Sequence, residues 1–323
     1  MLNIEGAYLE TALSNELTQE LAAKVRGEVK RNEPMARYTT FRVGGPADLF
    51  LAPLDEDDLL VMLRLLEQAR VPITVLGNGS NVLVSDRGIR GAVLRLTPNF
   101  AQITRREEMI IAGAGAKLAR VVQFAAAEEL SGLESTIGIP GTIGGALVMN
   151  AGTDVGSISD LVITATCVTP DGERVVLSGD ELSYGYRHSA LQGSNLIVLT
   201  TCLRLIPNDR DAIRAKMARL EEKRTSRQPV RCHTAGSTFK NLPDIAAGKL
   251  IDHAGCKGHG IGGAEVSEKH ANFIVARPGA TAADIRNLAN WMHRRVREEQ
   301  GRDLEMEVEI IGDWSDWEAS EEP

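Results

Sequence analysis

A chain of 323 residues is long enough to bury a sizeable core and to divide into two or three domains. Its 43% hydrophobic and 25% charged residues are ordinary for a globular protein in water. A formal net charge of −8 argues against nucleic-acid or anionic-membrane partners, and no apolar run approaches the roughly 18 residues of a spanning helix. Cys167, Cys202, Cys232 and Cys256 lie far apart with no Cys-x-x-Cys pair, which fits free thiols in a reducing compartment. The amino terminus has neither a basic nor an apolar signal region, so a cytoplasmic protein is expected.

Residues 1–30 read as a polar lead-in with a short amphipathic helix over 17–29. A β-rich segment over 38–45 ends in paired glycines. Asp55, Glu56, Asp57 and Asp58 open a helix to about Arg70, since acids in a first turn suit the helix dipole, and Val71-Pro72 stops it. Short strands over 73–76 and 82–84 flank a Gly-Asn-Gly-Ser-Asn loop. A strand over 109–112, a turn over 113–115 and a helix over 117–130 follow, closed by Gly132.

A glycine-rich loop spans 138–145, and the 160–206 region is strand-rich. A domain boundary falls near Pro207. Asn208-Asp209 caps a helix to about Arg224, and Thr281 to Asp284 forms a capping box for a helix that ends before Gly301. Strict alternation over 304–310 predicts a strand, and the acidic tail after Gly312 is expected to be disordered. The whole reads as mixed α and β in more than one domain.

Gly77, Asn78, Gly79, Ser80 and Asn81 are small residues whose backbone amides can approach an anion closely; a hairpin turn is the alternative. Gly138, Ile139, Pro140, Gly141, Thr142, Gly144 and Gly145, followed by Asn150, would let a flat ligand such as a flavin lie against the backbone. A plain multi-turn loop would look the same. A Gly-x-Gly-x-x-Gly fingerprint is absent, because Val82 and Leu118 hold the last positions, and no P-loop exists.

Arg187, between Tyr186 and His188, is a candidate carboxylate clamp; a solvated surface charge is the plainer reading. Ser237 sits in Gly-Ser-Thr-Phe-Lys-Asn, where a turn or cap serine is equally compatible. Glu305, Glu307 and Glu309 share one strand face, and periodicity does not choose among them. His253, Cys256 and His259 are spaced three apart, but the glycines between them speak against a metal site, and none is assigned. No Gly-x-Ser-x-Gly elbow supports a serine hydrolase.

Seven segments in register resemble the UDP-N-acetylenolpyruvoylglucosamine reductase family. They are Tyr-Thr-Thr-Phe-Arg-Val-Gly-Gly, Leu-Gly-Asn-Gly-Ser-Asn-Val-Leu-Val, Gly-Ile-Pro-Gly-Thr-Ile-Gly-Gly, Tyr-Gly-Tyr-Arg-His-Ser, Ala-Gly-Ser-Thr-Phe-Lys-Asn, Val-Ser-Glu-Lys-His-Ala-Asn-Phe-Ile-Val and Leu-Glu-Met-Glu-Val-Glu-Ile-Ile-Gly. The resemblance implies an α+β fold of the vanillyl-alcohol-oxidase-like (PCMH-type) FAD-binding class. Two FAD-binding subdomains at 31–98 and 99–206, a substrate domain at 207–312 and a tail at 313–323 would follow the lead-in. It implies that NADPH reduces FAD, which in turn reduces the enolpyruvyl double bond of UDP-N-acetylglucosamine enolpyruvate.

By the family motif, Arg187 and Glu307 would stabilise the enolate-like intermediate and Ser237 would protonate it. Tyr186, Lys240 and Asn241 would bind substrate. The short interval between Arg187 and Ser237 points to the subclass without a tyrosine-bearing insertion, acting as a monomer or weak oligomer. Leu242, Glu265 and Ala276 depart from the family pattern. The competing readings are an FAD-dependent oxidase of the same fold, whose flavin-attachment motifs are missing, and a non-enzymatic flavin- or nucleotide-sugar-binding regulator.

Overall fold

A computed structural model describes residues 15–96 and 98–317. Backbone contacts divide the chain into two compact units. The first takes in Asp48–Asn78 and Gly91–Arg224 with the segment ending at Arg31; the second takes in Asn32–Ala47, Gly79–Arg90 and the segment from Thr225 onward. Among the described residues no helix is long and apolar enough to cross a membrane.

The first unit holds most of two larger sheets, beside two short two-stranded pairs. One is four-stranded, in the order Glu28–Pro34, Pro46–Ala52, Ile89–Leu94, Ile73–Val75, with the last pair parallel. The Glu56–Gln68 helix starts where Asp55 accepts from the Asp58 amide, and it buries Leu59, Met62, Leu63 and Leu66. Each such leucine contributes about 1.5–3 kcal/mol on leaving water. The lead-in helix is shorter than its amphipathic pattern suggested: it spans Asn15–Lys24, and Val29 belongs to the first strand. Gly27 explains the break. A Cβ there would lie 2.2 Å from the Ala52 carbonyl oxygen, and its amide, with those of Arg26 and Leu54, is bonded by the Asp58 carboxylate. Part of the lead-in, residues 1–14, lies outside the described residues.

The second sheet is five-stranded and antiparallel, in the order Arg174–Ser178, Val162–Val168, Ile197–Arg204, Met109–Gly113, Ile103–Arg106. Its inner face and the Leu118–Ala127 helix share one core with Ile143, Leu147 and Leu203. The glycine run is not a plain loop to its end. Thr142 Oγ1 accepts from the Gly145 amide and opens a six-residue helix, Ile143–Val148. Paired glycines disguise that helix in the sequence, because glycine is a poor helix former.

The second unit centres on a three-stranded antiparallel sheet, Gly260–Ile261, Ala264–Val266 and Ile274–Ala276, covered by the Ala282–Gln300 helix. That helix buries Ile285, Leu288, Ala289, Met292 and Val296, the spacing of a single face. Its capping box is complete, and Gly301 closes it at φ 63°.

The 304–310 alternation is realised only in part as a strand. Residues 305–307 bond antiparallel to 238–240, through Lys240 N–H to Glu305 O and Glu307 N–H to Thr238 O; only Glu309–Ile311 forms a regular strand, parallel to Val82–Val84. The chain changes partners at Val308, so one periodic run serves two ladders. Nor is the start of the tail disordered. The Arg286 guanidinium lies 3.5 Å from the Trp317 ring centroid and 4.4 Å from that of Trp314, and Asp313 pairs with Arg87 at 2.9 Å. Residues 318–323 lie outside the described residues.

Candidate active site

Two glycine loops meet within the first unit. Gly77 faces Thr142 so closely that a Cβ would stand 2.6 Å from Thr142 Oγ1. Around that contact the main-chain N–H groups of Gly77, Asn78, Gly141 and Thr142, all buried or half-buried, find no main-chain acceptor among the described residues, and that of the exposed Gly138 finds none either. Buried or half-buried amides do not stay unbonded without cost, so a cradle of such donors suits the oxygens of a diphosphate. FAD carries that group, and the residues present fit it. Gly144 and Gly145 differ: their amides bond to Ala114 O and Thr142 Oγ1, and a Gly144 Cβ would lie 3.1 Å from Ala114 Cβ. Close packing explains Gly144; Gly145 is exposed, and a Cβ there would stand an ordinary 3.6 Å from Thr142 Oγ1. Ile139 and Pro140 continue the same turn, with the Ile139 amide bonded to Thr136 O.

Tyr186 and Arg187 form the tip of a turn closed by reciprocal bonds between Gly185 and His188. Arg187 sits at φ 53°, a left-handed conformation that costs a non-glycine residue about 1–2 kcal/mol. Its guanidinium donates to Gly152 O at 3.0 Å and Asn150 O at 3.5 Å, and it lies 5.2 Å from the Tyr186 ring. Asn150, itself left-handed at φ 45°, donates from Nδ2 to Gly185 O and accepts from the Ser159 amide. Its side chain therefore holds the Arg187 turn in place.

In the second unit the 236–241 segment is pinned from two sides. Asn272, 2% exposed, accepts the Phe239 N–H on Oδ1 at 2.9 Å and donates from Nδ2 to Phe239 O at 2.8 Å; the other side is the 305–307 ladder. Ser237 is half-buried, and its hydroxyl has no hydrogen bond among the described residues. The neighbouring Thr238 hydroxyl is buried and also lacks a partner among them.

The three glutamates that periodicity left equivalent are now distinct. Glu305 is 74% exposed and pairs with Lys240 Nζ at 2.6 Å; Glu309 is exposed; Glu307 is half-buried. Asn81 donates from Nδ2 to Glu307 O at 2.9 Å and accepts the Glu309 amide on its carbonyl, which fixes the Glu307 backbone. Gly79, φ 59°, approaches Tyr38 so closely that a Cβ would stand 2.1 Å from its carbonyl oxygen, and Ser80 continues this loop. Asn241 Oδ1 accepts the Ala247 amide and fastens the start of the Ala247–His253 helix.

Asn272 is a residue to which sequence reasoning gave no role. Its signal was its place in the Lys-His-Ala-Asn-Phe segment, but an asparagine clamp on a distant backbone has no local pattern.

Among the described residues no group of three His, Cys, Asp or Glu could hold a metal. Cys256 is packed into the core, and burial pushes its thiol up to about 11. His259 stacks on Trp291 with centroids 3.6 Å apart.

The FAD binding domain family matches residues 47–178, and the family described as UDP-N-acetylenolpyruvoylglucosamine reductase, C-terminal domain, matches residues 228–311. The UDP-N-acetylenolpyruvoylglucosamine reductase of Moorella thermoacetica is 43% identical over 297 residues, which cover 92% of this chain and 98% of the relative. That of Rhodopseudomonas palustris is 46% identical over 301 residues, covering 92% and 96%. The crystal structure of UDP-N-acetylenolpyruvylglucosamine reductase from Thermus caldophilus aligns with a TM-score of 0.76 at 38% identity, covering 88% of this chain and 99% of that one.

Proposed function

The chain belongs to the UDP-N-acetylenolpyruvoylglucosamine reductase family, and we propose that it reduces UDP-N-acetylglucosamine enolpyruvate to UDP-N-acetylmuramate with NADPH as electron source. It is an FAD-dependent oxidoreductase of peptidoglycan precursor synthesis. Bound FAD supplies hydride chemistry that no side chain of the protein offers.

The protein's own groups handle charge and protons. Reduction of the terminal alkene carbon drives negative charge toward the substrate carboxylate. The Arg187 guanidinium meets that charge, and Glu307 in its protonated form donates a hydrogen bond to it. The Ser237 hydroxyl then gives its proton to the carbon that bears the carboxylate. Serine is a weak acid in water, but a carbanion-like centre is basic enough to take its proton when the geometry is fixed. Tyr186, Lys240 and Asn241 orient the substrate, and Lys240 supplies the local positive charge that an acidic protein needs to hold a diphosphate.

We assign the FAD-binding subdomains to 31–98 and 99–206 and the substrate domain to 207–312, an order supported by the family matches at 47–178 and 228–311, although the 207–224 stretch packs with the first unit. Free cysteines support a cytoplasmic site of action.

The observation that carries the proton-transfer role is the doubly pinned 236–241 segment, with a Ser237 hydroxyl that no described residue engages. Replacing Ser237 with Ala should leave flavin reduction by NADPH nearly intact and slow flavin reoxidation by substrate about 100-fold or more. Equal losses in both half-reactions would rule out the proton-donor role.

A further inference from the structure

On the Arg210–Arg227 helix, Ile213 is buried and Met217 and Leu220 pack on the first unit's core. The same helical spacing next reaches Arg224. A position set by packing alone would be apolar, yet a cation stands there. Among the described residues its hydrogen-bonding partner is the Ile137 carbonyl, at the long distance of 3.5 Å, and it forms no ion pair. Its stem lies against Gly138, φ 72°, where a Cβ would stand 2.9 Å from Arg224 Cδ.

Arg187 reaches a short hairpin, Gly152–Thr153 paired with Gly156–Ser157, that also touches the Arg210–Arg227 helix. Its guanidinium donates to Gly152 O; the next residue, Thr153, donates from Oγ1 to Ser135 O at 3.2 Å; and Asp154 pairs with Lys223, the neighbour of Arg224, at 2.6 Å. Burial lowers the pKa of Arg224, and the charge of Arg187 lowers it further. Two cations in each other's field, one of them half-buried, are unfavourable until an anion enters.

We propose that Arg224 is a second substrate-binding cation, which with Arg187 holds the enolpyruvyl carboxylate between two guanidinium groups. The inference rests on the reading above, in which Arg187 serves that carboxylate. A planar fork takes both carboxylate oxygens at once, and a second fork lets Arg187 follow the charge as it develops while Arg224 keeps the group in place. An arginine, and not a lysine, at the end of this apolar stripe fits that geometry.

The test compares two ligands that differ in the carboxylate: UDP-N-acetylmuramate, which carries it, and UDP-N-acetylglucosamine, which does not. Binding to the FAD-loaded enzyme is measured by flavin absorbance changes or calorimetry. Arg224→Met, which keeps the apolar stem, should weaken UDP-N-acetylmuramate about 10- to 100-fold, leave UDP-N-acetylglucosamine within about twofold, and retain full flavin. Arg224→Lys should lie between, because an ammonium lacks the fork; it decides the matter alone should the methionine variant fail to fold.

Equal weakening of both ligands, no weakening of either, or loss of FAD would overturn the inference, the last by assigning Arg224 to the cofactor's diphosphate. A wild-type enzyme that does not turn over the enolpyruvate would instead overturn the underlying reading, so the two failures are separate.

Discussion

Asn272→Ala should be among the most damaging single changes outside the reacting groups. The side chain is 2% exposed and satisfies both main-chain groups of Phe239, which is itself buried. Removing it strands one buried donor and one buried acceptor, each at about 1–3 kcal/mol, so about 3–4 kcal/mol of stability should go. Trp291, Trp314 and Trp317 are the protein's three tryptophans, and all lie in the second unit, so their emission reports that unit's unfolding. With a urea slope of about 2–3 kcal/mol per molar, the midpoint should fall by about 1–2 M. Because Phe239 anchors the segment that carries Ser237, flavin reoxidation by substrate should also slow, while FAD content stays full. A midpoint that moves by less than about 0.3 M would refute the claim that this clamp bears the segment.

Other perturbations probe separate parts of the account. Gly77→Ala places a Cβ 2.6 Å from Thr142 Oγ1, and overpacking of about 1–3 kcal/mol should weaken FAD by about 5- to 150-fold in an apoprotein titration; unchanged affinity would remove Gly77 from the cradle. Burial, aided by Lys257, lowers the pKa of His270, whose Nδ1 accepts the Asn272 amide. The unfolded chain therefore takes up the proton first, and stability should fall as pH drops below about 6.5. His270→Gln should flatten that slope in urea titrations across pH, and an unaltered slope would contradict the assignment. Cys232 is exposed, whereas burial pushes the Cys167 and Cys256 thiols up to about 11. At about pH 8, Cys232 should alkylate rapidly in the folded protein and the two buried thiols only after unfolding, as peptide mass mapping can show.

Local signals were legible where one stretch of chain decides its own structure. Asp55, Thr281 and Gly301 mark helix ends that the structure keeps, because capping is a bond between near neighbours. The alternation at 304–310 was real but served two partners in turn, and nothing local marks the exchange at Val308. Acidic composition suggested a loose tail, yet Trp314 and Trp317 anchor it on Arg286 across the sequence. Motif segments pointed to Arg187, Ser237 and Glu307, but periodicity held Glu307 equal to its neighbours. Burial separates them. Arg224 and Asn272 went unassigned because their meaning lies in what surrounds them: an apolar stripe for one, the Phe239 backbone for the other.

The central claim is the reduction of an enolpyruvyl nucleotide sugar through flavin. Anaerobic enzyme reduced by NADPH and then mixed with UDP-N-acetylglucosamine enolpyruvate tests it most directly through the flavin absorbance. Stoichiometric reoxidation with formation of UDP-N-acetylmuramate is the expected result; a flavin that bleaches and stays reduced in the presence of that substrate would contradict it.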